Sequence, residues 1–169
     1  IDKPSGVVVW DDSSKNGDTI RGWIRRKVES GQWTVGSSEN NFRQRAWIVH
    51  RLDKETSGCL LIAKNPESFE KLMFAFKNRV VKKIYIALVH GKVFPGSGEV
   101  RAPLGRIPGK KWKLGVISGG KEAITKYKVI KYYKDFRQLR SSKGEVLTLV
   151  ELYPATGRTH QLRIHLKYL

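Results

Sequence analysis

The chain has 169 residues, of which 40% are hydrophobic, and this is enough to build the core of one domain. Such a composition excludes an intrinsically disordered polycation. Its 33 Lys and Arg residues against 15 Asp and Glu residues give a formal net charge of +18, which favours a polyanionic partner. Nucleic acid is the leading candidate, ahead of a general solubility or salt adaptation and of an anionic membrane surface.

The single cysteine, Cys59, cannot form an intramolecular disulfide or a cysteine metal cluster. No apolar run reaches the roughly 18 residues that span a bilayer, so no membrane association is predicted. We therefore expect a monomer in a reducing, cytoplasmic compartment, or in an RNA-containing organelle of a eukaryote. The length predicts one domain over residues 1–169, and the start at Ile1 suggests a chain truncated at both ends.

In chain order, the first predicted elements are a strand, a helix and a long loop. The apolar run at residues 6–10 is typical of a strand, and residues 18–29 predict a helix with Asp18 as its cap. Residues 29–45 are polar and glycine-rich without a period, which predicts an exposed inserted loop. The apolar face of the helix consists of Ile20, Trp23, Ile24 and Val28.

The middle of the chain predicts a short strand followed by a capped helix. Residues 59–63 are apolar and bounded by polar or glycine residues, which predicts a strand covered on both faces, with Cys59 buried. Asn65 is a good helix cap and Pro66 suits the first helical position. The apolar stripe of this helix consists of Phe69, Leu72, Met73, Phe76 and Val80.

The second half of the chain is dominated by strands. A buried strand is predicted from Ile84, further strands from Glu99, Ile124 and Glu145, and a final helix over residues 159–169. Strands outnumber helices and do not alternate regularly with them. This pattern predicts an α+β fold with a mixed, mostly antiparallel central sheet flanked by helices and loops.

A basic loop separates two of these strands. Residues 105–121 combine five cationic side chains with Trp112, a mixture suited to phosphates and a stacked base. An ordinary solvated hairpin is an equally good interpretation of this segment taken alone. The candidate RNA-binding residues are Arg106, Lys110, Lys111, Lys113 and Lys121.

The segment with the clearest chemical content is HRLDKETSG at residues 50–58, directly before the predicted strand at residues 59–63. Asp53 lies between Arg51 and Lys54, whose charges favour an ionised carboxylate. A lone ionised aspartate can act as a nucleophile or a base. For a single aspartate beside a strand, however, a turn-capping role is the commoner one.

The same segment resembles the signature of the RluA-type pseudouridine synthases, a family that isomerises uridine in RNA. Four other segments are similar to motifs of that family and occur in the same order. They are DKPSG at residues 2–6, KKIYIALVHG at 82–91, GKEAITKYKV at 120–129 and TGRTHQLRIHL at 156–166. The resemblance implies the catalytic core of such an enzyme.

Carried over residue by residue, the resemblance implies a role for four side chains. Asp53 is the catalytic residue, Tyr85 stacks on the target base, and Arg163 forms an ion pair with the catalytic aspartate. Arg51 takes the place of the nucleotide that is flipped out of the RNA. Taken alone, Tyr85 would be a core residue of a strand and Arg163 a solvated helix residue.

The resemblance also implies partners and cofactors. The substrate is a specific uridine in ribosomal or transfer RNA, and no cofactor is expected. No metal site is predicted, since His160 and His165 are five residues apart and fall on different sides of a helix. His50 is expected to be a hydrogen-bonding member of its segment and not a base.

Two other classes of protein compete with this interpretation. A non-catalytic RNA-binding protein is disfavoured by the joint presence of Asp53, Tyr85 and Arg163. An aspartate-dependent hydrolase generally requires a second carboxylate or a metal cluster, which the sequence does not offer.

Overall fold

The structure is a computed structural model that describes residues 1–10, 19–34, 45–110, 113–134 and 146–169. The chain divides into two compact units, Ile1–Val81 and Lys82–Leu169. The expectation of one domain over residues 1–169 stays a prediction. Within the described ranges, every helix is too short or too polar to cross a lipid bilayer.

In its described residues, the first unit contains two short strands and two helices. They are β1 (Asp2–Lys3), α1 (Ile20–Glu29), β2 (Gly58–Cys59) and α2 (Pro66–Lys77). Strands β1 and β2 pair in antiparallel fashion, so the start of the chain lies beside the end of the HRLDKETSG segment.

The two strands predicted in this unit are shorter than expected. Within residues 6–10, Val8 forms an isolated parallel bridge with Thr19, and no strand ladder is formed there. The predicted strand at residues 59–63 is not covered on both faces, since Cys59 and Leu61 are exposed whereas Leu60 and Ala63 are buried. Leu60 is fully buried, whereas Cys59 is exposed, so the prediction of a buried cysteine was wrong.

The helix α1 is confirmed, but its observed cap is Thr19. The Thr19 hydroxyl accepts a hydrogen bond of 3.1 Å from the backbone N–H of Gly22. The predicted cap, Asp18, lies outside the described residues, as does the larger part of the predicted loop at residues 29–45. Ile24 is fully buried, which confirms the apolar face of the helix.

The helix α2 begins as predicted. The Asn65 side chain accepts a hydrogen bond of 2.8 Å from Ser68 N–H, and Pro66 occupies the first turn. Phe69 is buried. Val80 is exposed, contrary to prediction, because the helix ends at Lys77 and the chain then turns through a left-handed residue.

The described part of the second unit contains six strands and a helix. They are β3 (Tyr85–His90), β4 (Ser97–Arg101), β5 (Leu104–Arg106), β6 (Leu114–Val116), β7 (Ile124–Lys134), β8 (Val146–Pro154) and α3 (Gln161–Tyr168). Four strands form an antiparallel sheet in the order β3-β8-β7-β4, and β5 pairs with β6 as a hairpin. The α+β class with a mostly antiparallel sheet is thus confirmed.

The core of this unit lies on one face of the four-stranded sheet. Val150 and Leu152 at its centre are buried, and Leu162 and Leu166 of α3 pack against them. Strand β3 was predicted to be buried, but only alternate residues face the core. Ile86 is 57% exposed, because its side chain points to the face of the sheet opposite the core.

The segment predicted as one strand from Glu99 forms two. Strand β4 ends at Arg101 and β5 begins at Leu104, with Pro103 between them. A proline has no N–H to donate to a sheet ladder, which accounts for the break. Strands β7 and β8 agree with the prediction, apart from a β-bulge between Val129 and Lys131.

Candidate active site

Asp53 lies in the loop that joins the buried residues 46–49 to strand β2. The preceding residue, Leu52, is buried and anchors the loop, whereas Asp53 is half-buried and Arg51 is exposed. The backbone carbonyl of Asp53 accepts a hydrogen bond of 3.1 Å from Thr56 N–H, which closes a turn around the carboxylate. The loop therefore presents the Asp53 carboxylate and the Arg51 guanidinium near the surface of the first unit.

The opening segment of the chain holds this loop in place. The Lys54 carbonyl accepts hydrogen bonds from Gly6 N–H (2.9 Å) and from the ammonium group of Lys3 (3.1 Å). The Ser5 hydroxyl donates to the Glu55 carbonyl at 2.9 Å. The DKPSG and HRLDKETSG segments thus form one local structure, although about fifty residues separate them in the chain.

Two glycines are required by the backbone of this structure. Gly6 has a φ of 85° and Gly58 a φ of 115°, values that side chains with a Cβ rarely adopt. Gly58 begins β2 directly after the Asp53 loop.

Lys3 is the residue of this site that sequence reasoning missed. Its side chain is 0% exposed, and Nζ donates to the carbonyl oxygens of Pro4 (2.7 Å), Val7 (2.9 Å) and Lys54 (3.1 Å). Burial lowers the pKa of Lys3, and the carboxylates of Glu55 and Asp53 oppose that shift. No periodicity marks Lys3 in the sequence, and its place inside the DKPSG segment was the one available signal.

His50 is a hydrogen-bonding member of the loop, as predicted. Its Nε2 accepts a hydrogen bond of 2.9 Å from Leu61 N–H, and its ring stacks on Phe76 with the centroids 4.7 Å apart. The imidazole therefore connects the Asp53 loop to the chain beyond β2 and to helix α2. Because Nε2 already accepts this bond, its lone pair is engaged in a structural contact.

In the second unit, Tyr85 and Arg163 belong to the same end of the sheet. Tyr85 opens β3 opposite Leu152, and strand β8 ends two residues later at Pro154. The following turn leads into α3, where Arg163 is the third residue and is exposed. Tyr85 is half-buried and packs against the same core as α3.

A buried polar network attaches the start of α3 to strand β7. The Gln161 side chain donates to the Ile124 carbonyl (3.0 Å) and to the Thr125 hydroxyl (2.9 Å). Its oxygen accepts from the Thr156 hydroxyl (2.7 Å) and from Arg158 N–H (3.0 Å). All four hydrogen-bonding positions of the Gln161 amide are thus used. They attach the helix that carries Arg163 to strand β7 and to the turn that precedes the helix.

His165 extends this network. Its Nε2 donates to the Ala102 carbonyl (3.0 Å), which leaves Nδ1 to accept from the Thr125 hydroxyl (2.9 Å). Burial lowers the pKa of His165, and the bond to the Ala102 carbonyl partly offsets this. From the sequence, His165 was weighed only as a metal ligand. Among the described residues, no group of three or more His, Cys, Asp or Glu side chains is placed to hold a metal ion.

The basic loop predicted between strands is largely an ordered hairpin. Ile107 N–H donates to the Lys113 carbonyl and Lys113 N–H to the Lys110 carbonyl, which closes the turn between β5 and β6. Lys121 pairs with Leu104 beside it. The four described cations, Arg106, Lys110, Lys113 and Lys121, are all exposed, and Lys111 and Trp112 lie outside the described residues.

The four side chains singled out by the resemblance are divided between the units. Asp53 and Arg51 belong to the first unit, and Tyr85 and Arg163 to the second. The ion pair between Asp53 and Arg163 and the stacking of Tyr85 on a base stay predictions.

Known proteins resemble this chain in sequence. The profile of the family described as RNA pseudouridylate synthase matches residues 1–168. The chain is 40% identical over 171 residues to a protein of Rickettsia bellii named ribosomal large subunit pseudouridine synthase C, covering 100% of this chain and 49% of that protein. It is also 40% identical over 125 residues to the uncharacterized RNA pseudouridine synthase YlyB of Bacillus subtilis, covering 74% and 38%.

Among solved structures, the human RNA pseudouridylate synthase domain containing 4 matches with a TM-score of 0.67 and 27% identity. The match covers 99% of this chain and 59% of that one. The chain spans about half or less of the length of the two curated relatives named above. The match of the family profile to nearly every residue shows that this chain belongs to the RNA pseudouridylate synthase family.

Proposed function

We propose that the protein isomerises uridine to pseudouridine in RNA, with Asp53 as the catalytic carboxylate. The observation that carries the proposal is the Asp53 loop, which the DKPSG segment supports through Lys3 and Ser5 in a chain that matches the family over residues 1–168. Because Asp53 is half-buried on a loop that hydrogen bonds hold in place, its carboxylate is oriented and still accessible to substrate.

The reaction is an isomerisation and needs no external reactant. The bond between C1′ of the ribose and N1 of uracil breaks, the base rotates, and a bond from C1′ to C5 forms. C5 loses its proton and N1 gains one, so atoms and electrons balance without a redox cofactor. What the protein must supply is a carboxylate that assists the bond changes and a pocket that retains the detached uracil.

The remaining residues are assigned to binding and orientation. Tyr85, at the start of β3, stacks on the target base, and Arg163 in the first turn of α3 pairs with Asp53. A uridine in structured RNA must be flipped out of its stack, at a cost of a few kcal/mol. The exposed guanidinium of Arg51, two residues before Asp53, fills the space that the nucleotide leaves.

We infer large-subunit ribosomal RNA as the substrate, in preference to transfer RNA. The support comes from several relatives of the chain, of Rickettsia bellii and Rickettsia conorii among others, which are named ribosomal large subunit pseudouridine synthase C. The net charge of +18 and the exposed cations of the β5–β6 hairpin suit an RNA partner. The protein acts as a monomer in the compartment that holds this RNA.

The decisive test compares Asp53→Asn with the wild type on a ribosomal RNA transcript made with uridine tritiated at C5. Release of tritium reports loss of the C5 proton, and RNA affinity is measured in parallel. We expect Asp53→Asn to release no tritium while its affinity stays within about tenfold, because an amide keeps the shape and the basic surface is unchanged.

Glu55→Gln is the matched control, since it makes the same chemical change two residues away on an exposed side chain. Its turnover should resemble that of the wild type. Turnover by Asp53→Asn would remove Asp53 from its catalytic role. Tight RNA binding with no tritium release by the wild type would favour the non-catalytic RNA-binding protein instead.

A further inference from the structure

A second surface of the second unit combines lysines with exposed aromatic rings, far from Tyr85. Four residues make up this distal surface: Lys92 and Phe94 on the loop after β3, and Tyr132 and Lys134 at the end of β7. Strand β3 runs from Tyr85 to His90, and its rise of about 3.3 Å per residue separates its two ends by about 17 Å. The distal surface therefore does not contact the base that Tyr85 would hold.

The loop that carries Lys92 and Phe94 is rigidly attached to the sheet. The Thr148 hydroxyl donates to the Gly91 carbonyl at 2.6 Å, and Gly91 N–H donates to the Val146 carbonyl at 2.7 Å. Val93 between the two distal-surface residues is buried in the core. The other end of the loop is held where Val129 N–H donates to the Gly96 carbonyl at 2.6 Å.

Both aromatic side chains of the surface are accessible, and the Tyr132 ring is also held in place by contacts. The Tyr132 hydroxyl donates to the Val93 carbonyl at 2.7 Å, and the Lys92 ammonium lies 5.8 Å from the centre of its ring. Phe94 is 79% exposed. A phenylalanine held in water on a rigid loop keeps its apolar surface available for a partner.

Both lysines lie on the side of the Tyr132 ring. Alternation along β7 places the side chains of Tyr132 and Lys134 on the same face of the sheet. This is also the face of the core-facing Thr148, which is the cross-strand partner of Tyr132. Lys128 and Lys131, opposite Glu151 and Leu149, lie on the other face of the same strand.

We propose that the distal surface binds single-stranded RNA that flanks the target uridine. Ammonium groups contact phosphates, and an exposed aromatic ring offers a stacking platform for an unpaired base. The proposal rests on the proposed function, since RNA is the partner that the family acts on. It adds a binding site about 17 Å from Tyr85 that raises affinity for extended RNA without taking part in the chemistry.

The test measures the binding of a labelled, unstructured oligouridylate of about 16 nucleotides over a series of salt concentrations. Replacing Lys92 and Lys134 by Ala should reduce the slope of log K against log salt by about 1.4, or about 0.7 for each phosphate that is no longer neutralised. Phe94→Ala should weaken binding by about fivefold or more at an unchanged slope, because it removes stacking and not charge.

The matched control replaces Lys128 and Lys131 by Ala, an equal change of charge on the opposite face of β7. We expect its salt slope to stay at the wild-type value. An equal drop in slope for both double variants would overturn the proposal, since RNA would then sense only diffuse charge. Wild-type affinity of Phe94→Ala for the oligouridylate would also overturn the proposal. So would variants that bind the oligouridylate as tightly as the wild type but bind phosphatidylserine vesicles less tightly.

The readouts separate this proposal from the proposed function. On extended ribosomal RNA, the Lys92/Lys134 and Phe94 variants should show a raised KM and an unchanged kcat, because the surface lies away from Tyr85. If the wild type forms no pseudouridine, the proposed function fails, but the salt slopes still decide whether the distal surface binds RNA.

Discussion

Among single residues, Lys3 shows how a charged side chain can be buried for a structural purpose. Its ammonium group has no exposed surface, but three carbonyl oxygens surround it. A buried polar group loses its hydration, and hydrogen bonds within the protein offset that cost. Lys3 thereby joins the first strand to the Asp53 loop.

Lys3→Met should therefore lower the free energy of unfolding by at least ~2 kcal/mol, since it removes the ammonium group that donates to three carbonyl oxygens. Turnover should fall as well, because the Asp53 loop is no longer supported. Urea denaturation and tritium release measure the two effects. Lys54→Met is the control, since the Lys54 side chain is exposed and only its backbone carbonyl takes part. Equal stability of both variants would show that the Lys3 hydrogen bonds do not stabilise the loop.

Arg163 is the residue whose proposed role differs most from its appearance in the sequence. We expect Arg163→Met to cut turnover severely while RNA affinity stays near the wild-type value, since the role proposed for the guanidinium is to pair with Asp53 and not with phosphate. Arg163→Lys should restore turnover only in part, because an ammonium cannot form a bidentate pair with a carboxylate. Lys167→Met, an exposed change on the same helix, is the control. Near-normal turnover of Arg163→Met would remove the ion pair from the proposed site.

Among the secondary-structure elements, helix α3 is positioned by polar contacts as much as by its apolar face. Gln161 and His165 attach the helix to β7 and to the Ala102 carbonyl through buried hydrogen bonds. A network of this kind is stable only while every member keeps its partner. Protonation of His165 would remove the acceptor that Thr125 uses.

Stability should therefore depend on pH through His165. The pKa of His165 in the folded protein lies below the ordinary histidine value of 6.5. As the pH falls below about 6.5, the unfolded chain therefore binds more protons than the folded chain. The contribution of neutral His165 is complete above that pH and is lost as the pH falls towards the folded pKa. Urea denaturation between pH 7.5 and about pH 5 should show this loss. A His165→Gln variant should be less stable throughout, with a smaller decrease at acidic pH.

His160→Gln is the matched control, because His160 is exposed at the start of the same helix. We expect it to keep the pH dependence of the wild type. If His165→Gln retained the full decrease in stability, the acid sensitivity would originate in another group.

For the molecule as a whole, the excess of basic residues should determine how the affinity for the proposed RNA partner depends on salt. A net charge of +18 attracts a polyanion from a distance, and each neutralised phosphate releases counterions. RNA affinity should then fall steeply with salt, with a log–log slope of roughly −0.7 to −0.9 for each phosphate contact.

Replacing Lys110, Lys111 and Lys113 by Ala should weaken binding to unrelated RNAs as much as to the substrate, because phosphate contacts carry no sequence information. Filter binding with ribosomal RNA fragments and with a scrambled RNA measures the difference. A weakening confined to the cognate RNA would mean that the β5–β6 hairpin reads the shape or the bases of its target.

Elements and motifs that depend on near neighbours in the chain could be predicted from the amino-acid sequence. Asn65 and Pro66 marked the start of α2, and the strands predicted from Ile124 and Glu145 were found as β7 and β8. The family could be identified because each motif is a contiguous run of residues. Such signals are local, since helix caps and periodic faces involve residues only a few positions apart.

Which residues are buried and which segments meet became known only from the folded chain. The Lys3 ammonium and the Lys54 carbonyl are 51 residues apart in the chain, and the Thr125 hydroxyl and His165 are 40 apart. The exposure of Cys59 and Ile86 likewise depends on what covers each strand, which hydropathy along the chain does not reveal. Burial and long-range hydrogen bonds arise from the packing of distant segments, so a pattern of near neighbours cannot specify them.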